Sequence, residues 1–191
     1  MKKIQMVDLR GQYDKIKPEI DKAIADVIDS SAFINGPEVK NFQLDLEKYL
    51  GIKHVIPCAN GTDALQASMM ALGLKPGDEV IAPSFTFVAT TEVIALLGLK
   101  LVLVEVDHDT FNISPDAVKK AITPKTRAIV PVHLYGQCAD MESIMEIARE
   151  HHLFVVEDAC QALGAEFTLN DGSRKKAGTI GHIGCTSFFP S

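Results

Sequence analysis

The amino-acid sequence predicts an α/β protein, with a mostly parallel sheet covered by helices on both faces. Strand-like and helix-like segments alternate along the 191 residues. The strand-like segments are continuously apolar, which is typical of parallel strands buried on both faces. Glycines, hydroxyls, aromatic rings and acids follow these segments, and ligands of open α/β sheets bind at the carboxyl ends of the strands. A ligand site is therefore expected at one edge of the sheet.

Two helices are expected before the sheet. Residues 15–29 and residues 38–50 carry apolar side chains at helical spacing, and Gly51 interrupts the second pattern. The chain is therefore predicted to divide into N-terminal helices over residues 1–50 and an α/β domain over residues 51–191.

Five apolar segments are predicted to form the strands. In chain order they are HVIPC, DEVIAP, KLVLVEVD, RAIVPVHLYG and LFVVEDA. Glycine turns and helices follow the first two, and further helices are expected near residues 114–121 and 140–150. This alternation is the pattern of strands that pair in parallel through helical connections.

Composition and charge exclude other classes of protein. Apolar residues make up 47% and charged residues 23% of the chain, and the net charge is −6 without a basic run. A nucleic-acid or anionic-membrane partner is therefore not expected. No apolar run reaches the roughly 18 residues that a membrane span needs. The N-terminus lacks the apolar core of a signal peptide, so we expect a cytoplasmic protein.

Cysteine and histidine usage favours neither a disulfide framework nor a metal centre. Cys58, Cys138, Cys160 and Cys185 stand far apart among apolar or small neighbours, and we expect buried, reduced thiols. The histidines show no metal-ligand spacing, so no metal is expected.

The segment CANGTDAL follows a predicted strand and opens a predicted helix. The amides of Gly61 and Thr62 would lie at the N-terminus of that helix, where free N–H groups and the helix dipole bind phosphate. The alternative is that Asn60 or Thr62 only caps the helix. The lysine and glycines of a Walker loop or a dinucleotide fingerprint are missing.

Two acids end the last apolar segment. Glu157 and Asp158 follow LFVV, where holding a charge away from water is costly unless a cation is near. A phosphate site, an aromatic ring at Phe85 or Phe87 and the Asp158 carboxylate together suit pyridoxal 5′-phosphate. They would hold its phosphate, its pyridine face and its protonated ring nitrogen.

Several motifs resemble those of a known enzyme family. They are MVDLRGQY, INGPEV, ANGTDAL, PGDEVIAPSFTFVAT, VHLYGQCADM, VEDACQALGA and TSFFPS, and they run through essentially the whole chain. In these motifs the chain resembles the sugar-nucleotide aminotransferases of the DegT/DnrJ type, which are pyridoxal phosphate enzymes of fold type I. The resemblance implies a homodimer whose active site is shared between subunits. It also implies that the Schiff-base lysine directly follows Ser191 and that a small C-terminal domain lies outside these residues.

The resemblance implies cofactor-binding roles for individual residues. Asp158 would pair with the pyridinium nitrogen, and Gln161 would contact the phenolic oxygen of the cofactor. Phe87 would stack on the pyridine ring. The phosphate contacts would be Gly61, Thr62 and Ser187.

Other residues are expected on the substrate side of the site. Phe85 would reach toward the substrate. Phe33, Asn35 and Gly36 of the segment FING would line the substrate entrance, unless that segment is a plain helix–helix turn.

Four more residues are placed near the strand ends. His133 and Tyr135 are expected to help build the floor of the pocket. Glu157 is assigned to a structural network there. His182 replaces the acid often found at its position in the family, which weakens any role for its turn.

The activity that the resemblance implies is transfer of an amino group from an amino acid, expected to be L-glutamate, to a nucleotide-linked keto-sugar for surface polysaccharide synthesis. The segments HLYGQCADM and CTSFFPS resemble those of the subgroup that acts on UDP-N-acetyl-3-oxo-glucuronic acid, and this resemblance favours a UDP-linked 3-keto-hexuronic acid. Sugars with a 4-keto group and dTDP-linked 3-keto sugars are alternatives. A sugar 3-dehydratase with histidine in place of the lysine and a non-catalytic regulator are alternative functions.

Overall fold

The computed structural model describes residues 7–189. They form two compact units, of which the first holds residues 7–57 with Phe189 and the second holds Cys58–Phe188. The second unit contains the sheet, and the site is built from its strand ends.

The first unit contains the two helices that the apolar spacing predicts. α1 (Leu9–Ser30) begins where the Asp8 carboxylate accepts the N–H of Gly11 over 2.9 Å, so it starts before the apolar pattern does. α2 (Pro37–Leu50) ends at Gly51, whose φ of 69° suits glycine and closes the helix. No helix in the described part of the chain is long and apolar enough to span a membrane.

The predicted strand HVIPC is wrong, because residues 52–57 form no strand in the described part of the chain. The N–H of Val55 donates to Oε1 of Glu47 over 3.0 Å, so a side chain takes a bond that a neighbouring strand could have made. Ile56 is 87% exposed. An apolar segment becomes a strand only where its context supplies packing and a partner.

The second unit contains the remaining helices and all the strands that the structure describes. In chain order they are α3 (Gly61–Ala71), β1 (Glu79–Pro83), α4 (Ala89–Leu96), β2 (Lys100–Val104), α5 (Pro115–Ala121), β3 (Thr126–Ile129), α6 (Met141–His151), β4 (Phe154–Asp158), β5 (Glu166–Thr168), β6 (Arg174–Lys176) and β7 (Ile183–Cys185). A short 3-10 turn, Leu134–Gly136, lies between β3 and α6.

Five strands form one parallel sheet in the order β2-β1-β3-β4-β7. The predicted α/β fold with a parallel sheet is confirmed. The sequence did not predict β7, which extends the sheet beside β4, or the antiparallel hairpin of β5 and β6. Each of these strands has only three residues, which is too short for a recognisable apolar pattern.

Helices cover both faces of the sheet, and this explains its apolar strands. Val80 of β1 belongs to one buried cluster with Met69 of α3 and Ile94 of α4. The next residue, Ile81, points to the opposite face and joins a cluster with Ile147 of α6. All five side chains are fully buried. Polar groups can therefore gather only at the ends of the strands.

Candidate active site

The carboxyl ends of the parallel strands bring distant segments to one edge of the sheet. β4 ends at Asp158, which pairs in register with Cys185 of β7 and forms a bridge with Val132 just beyond β3. The segments PSFTF, HLYGQ, ACQ and TSF, which follow four of the strands, leave the sheet from this edge.

The Asp158 carboxylate lies at this edge and is 5% exposed. Its Oδ2 accepts the hydroxyl proton of Thr90 over 2.7 Å, and its Oδ1 accepts the N–H of Cys160 over 3.2 Å. No cationic side chain within residues 7–189 forms an ion pair with it. Each carboxylate oxygen accepts about two hydrogen bonds, so both retain capacity for a cationic donor.

Two hydroxyls connect Asp158 to the segment PSFTF. Oγ1 of Thr86 lies 3.0 Å from Oγ1 of Thr90. Because Thr90 donates its only hydroxyl proton to the carboxylate, Thr86 is the donor between the two threonines. These bonds fix the segment that carries Phe85 and Phe87 next to the acid.

The two phenylalanines of this segment have different surroundings. The ring centroid of Phe85 lies 5.6 Å from that of Phe111, with 45° between the ring planes. Phe87 is 66% exposed and has no aromatic partner within the described residues. Of the two rings, Phe87 therefore presents the more open face.

The N-terminus of α3 lies beside the segment TSF. A methyl group placed on Gly61 would lie 2.6 Å from Sγ of Cys160 and 3.0 Å from Cβ of Ser187. Because both distances are shorter than ordinary contacts, only glycine allows these segments to approach so closely. The structure thereby brings Gly61 and Ser187 together across more than half of the chain.

Asn60 caps α3. Its Oδ1 accepts the N–H of Asp63 over 2.9 Å. The N–H groups of Gly61 and Thr62 have no acceptor within residues 7–189. The cap and the two free N–H groups therefore coexist, and free N–H groups at a helix N-terminus attract anions.

Glu157 is fully buried and holds the turn that leads into β7. Its oxygens accept four hydrogen bonds, from the N–H groups of Gly178, Ile180 and Gly181 and from Nε2 of His133. Nδ1 of the same histidine accepts the N–H of Ala139 over 3.1 Å, so the ring proton lies on Nε2. The buried charge is thus satisfied by N–H donors alone.

Gln161 is exposed at the same edge, and its Oε1 accepts the N–H of Tyr135 over 3.1 Å. Tyr135 is 74% exposed and has a left-handed φ of 53°. Since Oε1 is held, the Nε2 hydrogens are the donors that this side chain can offer to a ligand. His133 lies beneath this surface, with no exposed area of its own.

The segment FING lies in the first unit. Phe33 is exposed, Asn35 has a φ of 49°, and Gly36 is buried at the N-cap of α2. A methyl group on Gly36 would overlap the carbonyl oxygen of Ala32, so the turn requires glycine. Backbone geometry therefore accounts for Gly36, and the substrate contacts of Phe33 and Asn35 stay predictions.

Three of the four cysteines are at least partly buried, but Cys58 is exposed, so the expectation of a buried thiol is wrong there. It adjoins the segment that forms no strand, and the sheet does not cover it. Burial raises the pKa of Cys138 to about 11 and that of Cys185 to about 12, and it also raises the pKa of Cys160. These three thiols are protonated and weakly reactive at neutral pH.

His182 lies at the opposite end of β4 from Asp158. The ring nitrogen Nδ1 of His182 accepts the backbone N–H of Val155 over 3.0 Å, and the backbone N–H of His182 donates to the carbonyl oxygen of Val155 over 2.9 Å. The ring also meets Phe154 edge-on at 5.5 Å. His182 therefore secures the start of β4, and a carboxylate there could accept the same N–H.

The sequence prediction missed two buried residues that form hydrogen bonds beneath the site, Thr90 and Asn112. Thr90 is fully buried, and a hydroxyl within the apolar helix VATTEVIALL was the available signal. Asn112 is also buried, but only the folded chain reveals its partners.

A sequence model of the DegT/DnrJ/EryC1/StrS aminotransferase family matches residues 14–191. The chain belongs to this family. It is 48% identical over 188 residues to the UDP-2-acetamido-2-deoxy-3-oxo-D-glucuronate aminotransferase of Pseudomonas aeruginosa, with 98% of this chain and 51% of the relative covered. It is equally similar, at 48% identity over 98% of the chain and 49% of the relative, to the pleiotropic regulatory protein of Geobacillus stearothermophilus.

The fold also matches that of solved structures. The structure of S. venezuelae DesV in complex with a ketimine intermediate superposes with a TM-score of 0.92 at 40% identity, with 100% of this chain and 50% of that chain covered. This chain spans about half the length of the curated relatives it matches. Aminotransferases of the family depend on pyridoxal 5′-phosphate, and solved relatives hold it or its pyridoxamine form.

The groups at the edge of the sheet fit that cofactor. Two free N–H groups and nearby hydroxyls suit the phosphate, and a buried carboxylate that forms no ion pair with the described residues suits the pyridinium nitrogen. An exposed aromatic ring and a free amide donor suit the ring face and the phenolic oxygen. These groups belong to Gly61, Thr62, Ser187, Asp158, Phe87 and Gln161.

Proposed function

We propose that these residues form the cofactor-binding part of an enzyme that moves an amino group from L-glutamate to a nucleotide-linked keto-sugar. The carboxylate of Asp158 carries the proposal. It is buried, accepts hydrogen bonds from two neutral donors and has no cationic partner within the described residues. A carboxylate in this setting gains most from a cationic ligand.

The phosphate of the cofactor would bind at the N-terminus of α3. The N–H groups of Gly61 and Thr62 would donate to it, and the hydroxyls of Thr62 and Ser187 would complete the site. The helix contributes the equivalent of about half a positive charge at this end, which favours an anion.

When bound, pyridoxal 5′-phosphate supplies an electron sink for the carbanion formed on the amino-acid substrate. Asp158 keeps a proton on the ring nitrogen, because an adjacent anion favours the charged form of that group. Thr90 orients the carboxylate through its hydroxyl. Gln161 would donate to the phenolic oxygen from Nε2, and Phe87 would cover one face of the ring.

The catalytic lysine is expected directly after Ser191, outside the described residues. We propose that this lysine would take the proton from the α-carbon of the amino acid as a general base and would deliver it to the C4′ carbon of the cofactor as a general acid. The residues described here would then bind and orient the groups on which the lysine acts, and they would exclude water from them.

For the acceptor sugar we propose a UDP-linked 3-keto-hexuronic acid. The segments HLYGQCADM and CTSFFPS support it, as does the name of the P. aeruginosa relative. A non-catalytic regulator is the second candidate, since the equally similar G. stearothermophilus relative is named a pleiotropic regulatory protein.

We also propose a homodimer. No residue of α1 is buried, and its exposed isoleucines recur every fourth position and so share one side of the helix. They are Ile16, Ile20, Ile24 and Ile28. A contiguous apolar surface of this kind usually marks an interface. Sedimentation as a monomer at micromolar concentration would contradict the dimer.

The cytoplasmic location stays a prediction.

Spectroscopy on the full-length protein tests the activity. Protein loaded with pyridoxal 5′-phosphate should lose its visible absorption band when L-glutamate is added, and the UDP-linked 3-keto-hexuronic acid should restore it. Asp158→Asn, which keeps the shape and removes the negative charge, should slow both changes. A band that glutamate leaves unchanged, with cofactor bound, would favour the regulator.

A further inference from the structure

We propose that Asn112 is a positioning residue that sets the orientation of the Gln161 side-chain amide through the backbone of residues 134–138. This inference rests on the proposed function, in which Gln161 donates to the phenolic oxygen of the cofactor.

The side chain of Asn112 forms its hydrogen bonds with one short segment, residues 134–138. Nδ2 donates to the carbonyl oxygens of Gln137 and Cys138 over 3.2 and 3.1 Å, and Oδ1 accepts the N–H of Leu134 over 3.2 Å. The side chain is 4% exposed, so these bonds face little competition from water. Two carbonyl acceptors and one N–H donor also define which end of the amide carries the oxygen.

The segment that Asn112 holds has an unusual backbone. Tyr135 and Gly136 are both left-handed, with φ of 53° and 83°. The first is unfavourable for a residue with a Cβ, so the surrounding contacts must enforce it. The bonds of Asn112 bracket this pair on both sides, at Leu134 and at Gln137.

The left-handed turn aims one N–H group at Gln161. The N–H of Tyr135 donates to Oε1 of Gln161 over 3.1 Å, and this contact turns the Nε2 hydrogens toward other acceptors. If the turn relaxes, the amide loses the contact that distinguishes its two ends. The Gln161 amide could then also adopt the flipped orientation. In that orientation Oε1 would face the phenolic oxygen of the cofactor, and the two acceptors would repel each other.

The segment has a second anchor that does not involve Asn112. His133 bonds to Glu157 on one side and accepts the N–H of Ala139 on the other, so both ends of the segment are tied to the buried network. A change at Asn112 should therefore disturb the turn at Tyr135 and leave the sheet in place.

The test compares two ligands, pyridoxamine 5′-phosphate and its analogue without the phenolic oxygen. Neither needs the lysine, so equilibrium dialysis measures binding to the full-length protein without catalysis. The variants are Asn112→Asp, Gln161→Ala and the double variant. Asn112→Asp keeps an acceptor for Leu134 but faces two carbonyl oxygens with no donor. Ile113→Val, a small change in the adjacent core residue, is the matched control.

We expect Asn112→Asp to weaken pyridoxamine 5′-phosphate about fivefold, which corresponds to one ordinary hydrogen bond, and to leave the analogue unchanged. In the Gln161→Ala background it should add nothing. Ile113→Val should change neither ligand. Should Asn112→Asp fold poorly, Asn112→Ser, which keeps one hydroxyl donor, should give a smaller loss of the same kind.

Equal losses for both ligands, or a loss that adds to that of Gln161→Ala, would overturn the positioning role and leave the proposed function intact. Wild-type protein that binds both ligands equally would remove the role of Gln161 and this inference with it. Wild-type protein that binds neither ligand would overturn the proposed cofactor site itself.

Discussion

Thr90 and Asp158 stand 68 positions apart in the chain and form a 2.7 Å hydrogen bond at the end of β4. The bond fixes one oxygen of the carboxylate, and the N–H of Cys160 fixes the other. The protein therefore sets the direction of the carboxylate before any ligand arrives. A charge held in this way needs little reorganisation when a cationic group binds.

Replacing Thr90 with valine tests this bond. The substitution keeps the shape of the side chain and removes the hydroxyl, which leaves a buried oxygen of Asp158 without its donor. We expect the free energy of unfolding to fall by about 1–3 kcal/mol and the affinity for pyridoxamine 5′-phosphate to fall with it. Urea unfolding and equilibrium dialysis measure the two effects.

Thr91→Val is the matched control, since among the described residues the hydroxyl of Thr91 bonds only to the carbonyl oxygen of Val88. It should leave the affinity unchanged. Equal losses of affinity in the two variants would show that the bond to Asp158 has no particular importance.

Replacing Gly61 with alanine tests the close approach at the N-terminus of α3. The new methyl group would lie 2.6 Å from Sγ of Cys160 and 3.0 Å from Cβ of Ser187. We expect a loss of about 1–3 kcal/mol in the free energy of unfolding, as for other overpacked sites. Phosphate affinity should also fall, because the segments that surround the N–H groups must move apart.

Cys160→Ala provides the check on this cause. It removes the sulfur atom, so the double variant Gly61→Ala/Cys160→Ala should regain part of the stability that Gly61→Ala loses. Urea unfolding of the wild type, Gly61→Ala and the double variant measures this. A double variant as unstable as Gly61→Ala alone would mean that the clash with the sulfur is not the cause.

Replacing His182 tests the start of β4. His182→Ala removes the acceptor of the Val155 N–H and should cost about 1 kcal/mol of unfolding free energy. His182→Asp keeps an acceptor there and should cost less. Neither change should alter cofactor affinity, because the site lies at the other end of the strand. Thermal unfolding that ranks aspartate below alanine would contradict this account.

The Glu79 carboxyl makes stability depend on pH. Hydrogen bonds from Lys100 and Thr123 lower its pKa below the ordinary value of 4.5. A pKa that is lower in the folded protein adds stability above the unfolded value, and this stability is lost as the pH falls through the folded value. The free energy of unfolding should therefore decline as the pH falls below 4.5.

Glu79→Gln removes this titration and should give a shallower decline in urea titrations between about pH 5 and about pH 3. Glu146→Gln, at an exposed position of α6, is the control and should keep the wild-type slope. Parallel curves for wild type and Glu79→Gln would rule out the contribution of Glu79.

Apolar runs were sufficient to predict β1, β2, β3 and β4. Burial on both faces explains the apolar run of β1, which is buried along its whole length, whereas β2 lies at the edge of the sheet and is apolar although Leu103 is 53% exposed. The same reasoning failed for HVIPC, which is also apolar but forms no strand within residues 7–189. It also failed for β7, where Ile-Gly-Cys is too short to show any pattern. Strand formation in these cases depends on neighbours that are distant in sequence.

The residues expected to bind the cofactor follow from sequence motifs and from the family resemblance, and their binding roles stay predictions. Asp158 ends an apolar run and Gly61 opens a helix, so both could be recognised from their neighbours in the chain. The bonds from Thr90 and from Asn112 could not, since each joins side chain and partner across more than 20 residues.

The sequence by itself determined the fold class, the succession of β1 to β4 along the chain and the edge of the sheet at which ligand-binding groups collect. These features follow from the spacing of apolar residues and glycines, which acts over a few positions. Tertiary structure alone decided which hydroxyl orients Asp158, which amide end of Gln161 remains available and which N–H groups satisfy Glu157. Those pairings depend on hydrogen-bond distances and directions that exist only after the helices have packed on the sheet.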